Sequence, residues 1–242
     1  METTAPAVAA VICAAGSSSR MGGIKKEYQK LNDSSLTVLG SAVRAFAAVQ
    51  SVEIIVIVIP ANEEEAARRA LPQECLTASK QKILFVTGGK SRRASVLNAL
   101  SFLEVYNPEY VLIHDGARPW VSSSLVENII EEVKKHGAVI PLLALTETPK
   151  ELSMSSEQET GMPSVFIKRH LKRASTGIAQ TPQAFRFPEI FHAHKKAAEF
   201  ENEEFTDDAE VWGRFCGDVA VIPGETKNRK ITFQEDIDKN ES

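Results

Sequence analysis

An apolar run from Val8 to Cys13 passes directly into Ala14-Ala15-Gly16-Ser17-Ser18-Ser19-Arg20-Met21-Gly22, with Lys25 and Lys26 a few residues further on. Small residues let a ligand approach the main chain closely, and a strand that ends there frees backbone N–H groups to face an anion. Arg20 and Lys26 add cations suited to the charge of a polyphosphate. The chemistry served by this combination is the binding of a phosphorylated ligand, although the loop taken alone also fits a solvated turn with two surface cations. Neither G-x-x-x-x-G-K-S/T nor G-x-G-x-x-G occurs in this segment, so the P-loop ATPase and the dinucleotide-binding dehydrogenase both lose support. A protein-held metal is not expected. His192 and His194 are spaced i, i+2 and would point in different directions on a helix, and Cys13, Cys75 and Cys216 show no C-x-x-C spacing.

The elements that must position these groups follow from periodicity. After the first strand, Leu39–Val49 has helical spacing, Val52–Ile59 is a β-branched run closed by Pro60, Asn62–Leu71 is a polar helix and Ile83–Val86 a short apolar strand. Ala94–Leu103 reads as helix, Tyr110–His114 as strand, Ser124–Lys135 as helix and Ala138–Leu145 as a further apolar run. Strands that are apolar throughout, alternating with helices, predict an α/β fold with a mainly parallel sheet covered on both faces. Ligands then bind beyond the carboxyl ends of the strands. Gly16 follows the first strand, Gly88 and Gly89 the third, and Asp115 the fourth, so three strand ends converge. From Thr146 to Ser175 the pattern breaks down, and the polar stretch Lys150–Gly161 reads on composition as a flexible insertion.

Composition bounds the rest. With 242 residues, 43% of them hydrophobic, the chain fits one sizeable core, a single α/β domain with an insertion. A net charge of -4 supplies no global field for nucleic acid or an acidic membrane. Three cysteines without a framework suit a reducing cytoplasm. The segment Met1–Ala10 lacks Lys and Arg, so no signal or transit peptide is expected. No apolar stretch approaches the roughly 20 residues that span a bilayer.

Further segments carry a resemblance. They are Gly88-Gly89-Lys90-Ser91-Arg92-Arg93-Ala94-Ser95-Val96, His114-Asp115-Gly116-Ala117-Arg118-Pro119, Thr146-Glu147-Thr148-Pro149-Lys150, Arg173 followed by Thr181-Pro182-Gln183, Thr206-Asp207-Asp208-Ala209, and Asn228-Arg229-Lys230-Ile231-Thr232. Together with the first loop, which resembles the nucleotidyltransferase signature A-A-G-x-G-x-R-M...P-K, they make the chain similar to the 2-C-methyl-D-erythritol 4-phosphate cytidylyltransferases of the non-mevalonate isoprenoid pathway. The resemblance covers almost the whole chain. It implies a Rossmann-like nucleotidyltransferase domain over residues 1–242, with residues 146–175 forming a β-arm that reaches a second subunit in a homodimer.

The same resemblance implies roles. Ala14, Ala15, Gly16, Arg20 and Lys26 would meet the CTP phosphates, Gly89 and Ser95 the cytosine base, and Asp115 the ribose. Asp115, Arg118, Thr148, Arg173, Thr206 and Lys230 would meet the phosphorylated polyol, with Arg20, Lys26, Arg173 and Lys230 as the catalytic cations. Without the family, Ser95 reads as a helix cap and Asp115 with Arg118 as a surface ion pair. Nucleotidyl transfer to a phosphate calls for positioning and charge stabilisation, and Mg2+ would be carried mainly by the CTP phosphates. Ribitol 5-phosphate is the competing acceptor, and a non-catalytic nucleotide-binding module the competing class. Three positions depart from the family pattern: Ser18 replaces a glycine, Lys25 the proline before the catalytic lysine, and Glu147 an aspartate.

Overall fold

Strand β1 (Val8–Cys13) is buried almost from end to end, as required of a central strand whose two faces are both covered. Its side chains alternate between two apolar layers: Val8, Ala10 and Ile12 face one, Ala9 and Val11 the other. The computed structural model describes residues 7–16, 22–32, 34–77, 80–154, 165–200 and 203–238. Arg20 and Ser18 lie outside these described residues.

The chain continues through α1 (Val38–Ala47), β2 (Val52–Ile59), α2 (Glu64–Ala70), α3 (Gln73–Thr77), β3 (Lys82–Thr87), α4 (Arg92–Leu103), β4 (Tyr110–Asp115), α5 (Ser123–His136) and β5 (Ala138–Ala144). It ends with β6 (Lys150–Met154), β7 (Val165–His170), β8 (Gly177–Ala179), β9 (Gln183–Arg186), α6 (Phe187–Ala198), α7 (Asp208–Phe215), β10 (Ala220–Pro223) and α8 (Glu235–Asp238). The main sheet has the order β10-β5-β9-β4-β1-β2-β3, with β8 added to β5. Strands β1, β2, β3 and β4 pair in parallel, as do β5 and β10. Strand β9 runs antiparallel between β4 and β5, so the sheet is mainly, not wholly, parallel.

Helices α1 and α5 cover one face, with Phe46, Ile129 and Val133 in that layer; α4, α6 and α7 cover the other, through Leu100, Phe191 and Trp212. Full burial of one such large apolar side chain contributes about 1.5–3 kcal/mol. The Trp212 ring stacks on Phe185 in this layer, with ring centroids 5.6 Å apart. Side-chain caps fix helix starts beside the strand ends: Ser91 accepts from Ala94 N–H at 3.1 Å and Asp207 from Glu210 N–H at 2.9 Å.

The chain runs from β1 outward to β2 and β3, then returns to place β4 on the other side of β1. This is the topological switch point at which parallel sheets bind ligands. Cys13 and Asp115 face each other in register there. The composition-based reading of Lys150–Gly161 as a flexible insertion needs correction over Lys150–Met154, where β6 pairs with β7 as a separate two-stranded antiparallel ribbon in which Leu152 faces the strand-forming Ile167; residues 155–161 lie outside the described residues. Among the described residues, no helix is long and apolar enough to cross a membrane.

Candidate active site

Two adjoining cavities open over the switch point. The larger, of about 450 Å³, is walled by Ala15 and Gly16 after β1, by Gly89 and Ser95 after β3, and by Lys26. The smaller, of about 290 Å³, holds Arg118, Thr181, Gln183 and Thr206. Arg92, Asp115 and Lys230 line both.

Asp115 ends β4 and is almost buried. Its Oδ2 accepts from Lys230 Nζ at 2.9 Å, and Arg118 Nε lies 3.6 Å from the same oxygen. Its Oδ1 accepts from Arg92 Nε at 3.3 Å. Burial alone would raise the carboxyl's pKa, but Arg92, Lys230 and Arg118 outweigh it and hold the group well below the usual carboxylate range. The reading of Asp115 and Arg118 as a surface pair is therefore wrong.

Arg92 has a second carboxylate partner, the buried Asp208, whose Oδ2 lies 2.8 Å from Nη2. The other oxygen of Asp208 lies 3.2 Å from Nε2 of the buried His194. His194 is thus a structural partner of an aspartate. Sequence reasoning missed Arg92 and Asp208 as site residues, although both lie in the segments singled out. Two adjacent arginines do not tell which faces inward, and only the fold turns Arg93 away, onto the carbonyl of Ala197 at 2.6 Å.

Behind Asp115, Arg118's carbonyl lies 3.2 Å from His114 Nε2, and Thr181 Oγ1 lies 3.0 Å from Nδ1. A carbonyl only accepts, so Nε2 carries the proton, Nδ1 accepts from the Thr181 hydroxyl, and that hydroxyl accepts from Asp115 N–H at 3.1 Å. Burial pushes the His114 imidazole down to about 4, which keeps this tautomer neutral. Asn228, fully buried, donates through Nδ2 to Thr181 O at 2.7 Å, and its carbonyl accepts from Arg118 Nη1 at 2.8 Å. The Asn228–Thr232 segment is thereby fastened over the site, and Lys26 Nζ donates to Ile231 O at 2.9 Å.

The glycines are required by close contacts. A Cβ on Gly89 would sit 2.6 Å from that of Ala94, and one on Gly88 would reach Ser95 Oγ at 2.9 Å and collide with Ala15. Gly89 N–H donates to Ser95 Oγ at 3.0 Å, while Ser91 caps the helix. Ser95 is therefore a buried cavity residue and not the cap. Cys13 also lines the larger cavity, but burial pushes its thiol up to about 12, so it is no nucleophile at neutral pH. Thr148 and Arg173 line neither cavity of this chain; Arg173 is exposed, with Nη1 donating to Thr146 O at 2.8 Å.

Among the described residues no group of three or more His, Cys, Asp or Glu could hold a metal ion. Asp115 and Glu27 are the carboxylate residues among those that line the larger cavity. Such a donor set fits a hard cation that arrives on phosphate oxygens and takes one or two protein ligands at most.

Residues 8–242 match the family model described as IspD, 2-C-methyl-D-erythritol 4-phosphate cytidylyltransferase. A bifunctional enzyme IspD/IspF from Brucella anthropi is 36% identical over 241 residues, covering 98% of this chain and 55% of that protein. The chain thus spans about half the length of the curated relatives it matches. A solved 4-diphosphocytidyl-2C-methyl-D-erythritol synthase from Anaerococcus prevotii superposes with a TM-score of 0.78 at 27% identity, covering 95% of this chain and 92% of that one. The 2-C-methyl-D-erythritol 4-phosphate cytidylyltransferase of Francisella tularensis gives 0.73 at 27% identity, with 96% of each chain covered.

Proposed function

The chain belongs to the 2-C-methyl-D-erythritol 4-phosphate cytidylyltransferase family, and from that premise we propose that it transfers the cytidylyl group of CTP to 2-C-methyl-D-erythritol 4-phosphate, releasing pyrophosphate. The observation that carries this reading is the shared wall: Arg92, Asp115 and Lys230 stand between a glycine-lined cavity and a smaller polar one, as a reaction joining two phosphorylated ligands requires. The larger cavity takes CTP and the smaller the polyol phosphate.

An oxygen of the acceptor phosphate attacks the α-phosphorus. As that P–O bond forms, the bond from the α-phosphorus to the bridging oxygen breaks, and pyrophosphate leaves with the electron pair. The attacking phosphate is already an anion, so no general base is needed. Asp115 stays ionised, because its three cationic neighbours favour the charged form, and it serves to hold Lys230 and Arg92 in place. Lys26 and Lys230 face the developing charge with fixed ammonium groups, which need no reorganisation during the reaction. Arg20 supports the same clamp by resemblance. Ser95 Oγ accepts from Gly89 N–H, which leaves its hydroxyl hydrogen to donate to cytosine. When bound with the nucleotide, Mg2+ would neutralise charge between phosphate oxygens, with Asp115 as its protein ligand.

A second copy of the chain completes the site in this reading. The β6–β7 ribbon stands apart from the main sheet with Leu152, Phe166 and Ile167 all more than half exposed (59%, 58% and 52%). A lone two-stranded ribbon is marginal in water, and such a surface suits burial against a partner. Thr148 and Arg173, at its base, would then reach the partner's acceptor cavity.

The experiment is pyrophosphate release with CTP or UTP and with methylerythritol 4-phosphate or ribitol 5-phosphate. We expect turnover with CTP and methylerythritol 4-phosphate, a CTP preference of at least about 100-fold in kcat/KM, and a smaller preference in Ser95→Ala. Faster turnover with ribitol 5-phosphate would replace the acceptor; no turnover with any pair would leave a binding module.

A further inference from the structure

Lys25 lines neither cavity, yet its ammonium reaches back across the loop that follows β1. Nζ donates to Ala14 O at 3.1 Å and to Gly16 O in a shorter contact. The side chain is half-buried, between the loop and the turn that starts at Lys26. At the corresponding place the resembled family carries proline. The backbone at Lys25 keeps a proline-like φ of -65°, so what the lysine adds is the charged tether. Among the described residues, no heavy atom outside the immediate chain neighbours lies within 4 Å of where a Cβ on Gly16 would sit.

We propose that Lys25 is a positioning residue for the nucleotide, its ammonium holding the carbonyls of Ala14 and Gly16 so that the amide of Ala15 faces the phosphates of CTP. The physical basis is the trans peptide, in which C=O and the following N–H point in opposite directions. With Ala14 O tied to Lys25, the amide of Ala15 points away from the lysine, on a residue that does line the larger cavity. A fixed amide is a better anion donor than one that must be ordered on binding. The ammonium also polarises the peptide it binds, which strengthens the opposite donor. Lys26, its neighbour, points instead at Ile231 and the cavity, so adjacent lysines have separate tasks: one holds the loop and the other faces the ligand.

The inference rests on the CTP reading above. Lys25→Met keeps the length of the side chain and removes the tether, while Lys25→Arg retains a cationic donor able to span two carbonyls. In Lys25→Met we expect KM for CTP to rise about tenfold, the loss typical of charge-assisted hydrogen bonds, with kcat within about twofold and KM for the acceptor unchanged. Hydrogen exchange in the peptide 8–16 should quicken in the free protein, and Lys25→Arg should recover most of the CTP affinity and the slow exchange. An unaltered KM for CTP in Lys25→Met overturns the proposal. So does a fall in kcat and thermal stability that arginine does not rescue, since that pattern belongs to a purely structural lysine. Failure of the underlying reading looks different: the wild-type protein itself would then not turn CTP over.

Discussion

At the scale of single residues, the site is a set of buried polar groups whose protonation is fixed by their neighbours. His114 is the clearest case. Its folded value is about 4 against an ordinary 6.5, so the unfolded chain takes up a proton first as pH falls. A depressed folded value contributes stability that is complete above 6.5 and is lost as pH drops through about 4; the difference corresponds to about 3 kcal/mol. Asp115 and Asp208 are also held low, by cations that outweigh burial, but their contribution begins to fall only near the ordinary carboxylate range. Urea unfolding across this interval should therefore show a slope of about one proton, and His114→Asn should remove it while lowering stability at neutral pH. A slope of the same size in the variant would assign the titration elsewhere. The sequence makes Asp115, Lys230 and Ser95 visible as members of motifs. It does not reveal the Arg92–Asp208 and His114–Thr181 partnerships, because each joins residues far apart in the chain through pairs of types common on any surface.

At the scale of elements, the site depends on how closely strand ends approach one another. Gly88, after β3, has no room for a methyl group: Ala15 after β1 and Ser95 in α4 occupy the space, with Val58 of β2 at 3.4 Å. Gly88→Ala must push the β3–α4 turn away from the β1 loop, at a cost of about 1–3 kcal/mol in stability. Since Ser95 and the neighbouring Gly89 would shift together, CTP affinity should fall by at least about tenfold. Calorimetric titration with CTP, beside a denaturation curve, checks both; wild-type affinity would show that the turn adapts without moving the base site. Most of these elements are legible in the amino-acid sequence. Apart from the five-residue α3, the alternation from Val8 to Leu145 predicts the strands and helices of that stretch to within a few residues, because buried parallel strands are apolar throughout and the covering helices are amphipathic. Beyond Leu145 legibility fails for a physical reason: β9 has four residues and begins at Gln183, so it shows neither a long apolar run nor alternation, and only its neighbours on both sides make it a strand.

At the scale of the whole molecule, the prediction concerns which chain owns which part of a site. If the β6–β7 ribbon serves a partner, Lys26 and Arg173 act in one site from different chains. Lys26→Ala should lower kcat by about 10²- to 10³-fold, and Arg173→Ala should leave comparably little activity. After subunit exchange between the two variants, about half the dimers are mixed and each of these holds one intact site, so activity should return to about a quarter of wild type. Demonstrated exchange without recovery would place both residues in one chain and remove the catalytic role of the ribbon. The reversed strand β9 has a separate consequence, for the order in which the molecule can be made. Strands β1 to β4 are complete by Asp115, but among the described residues one edge of β4 is paired only by β9, at Gln183–Arg186. On the ribosome, an apolar strand with unmet hydrogen-bond donors and acceptors must therefore wait through roughly seventy further codons. During that interval the half-built sheet is open to pairing with any other exposed strand.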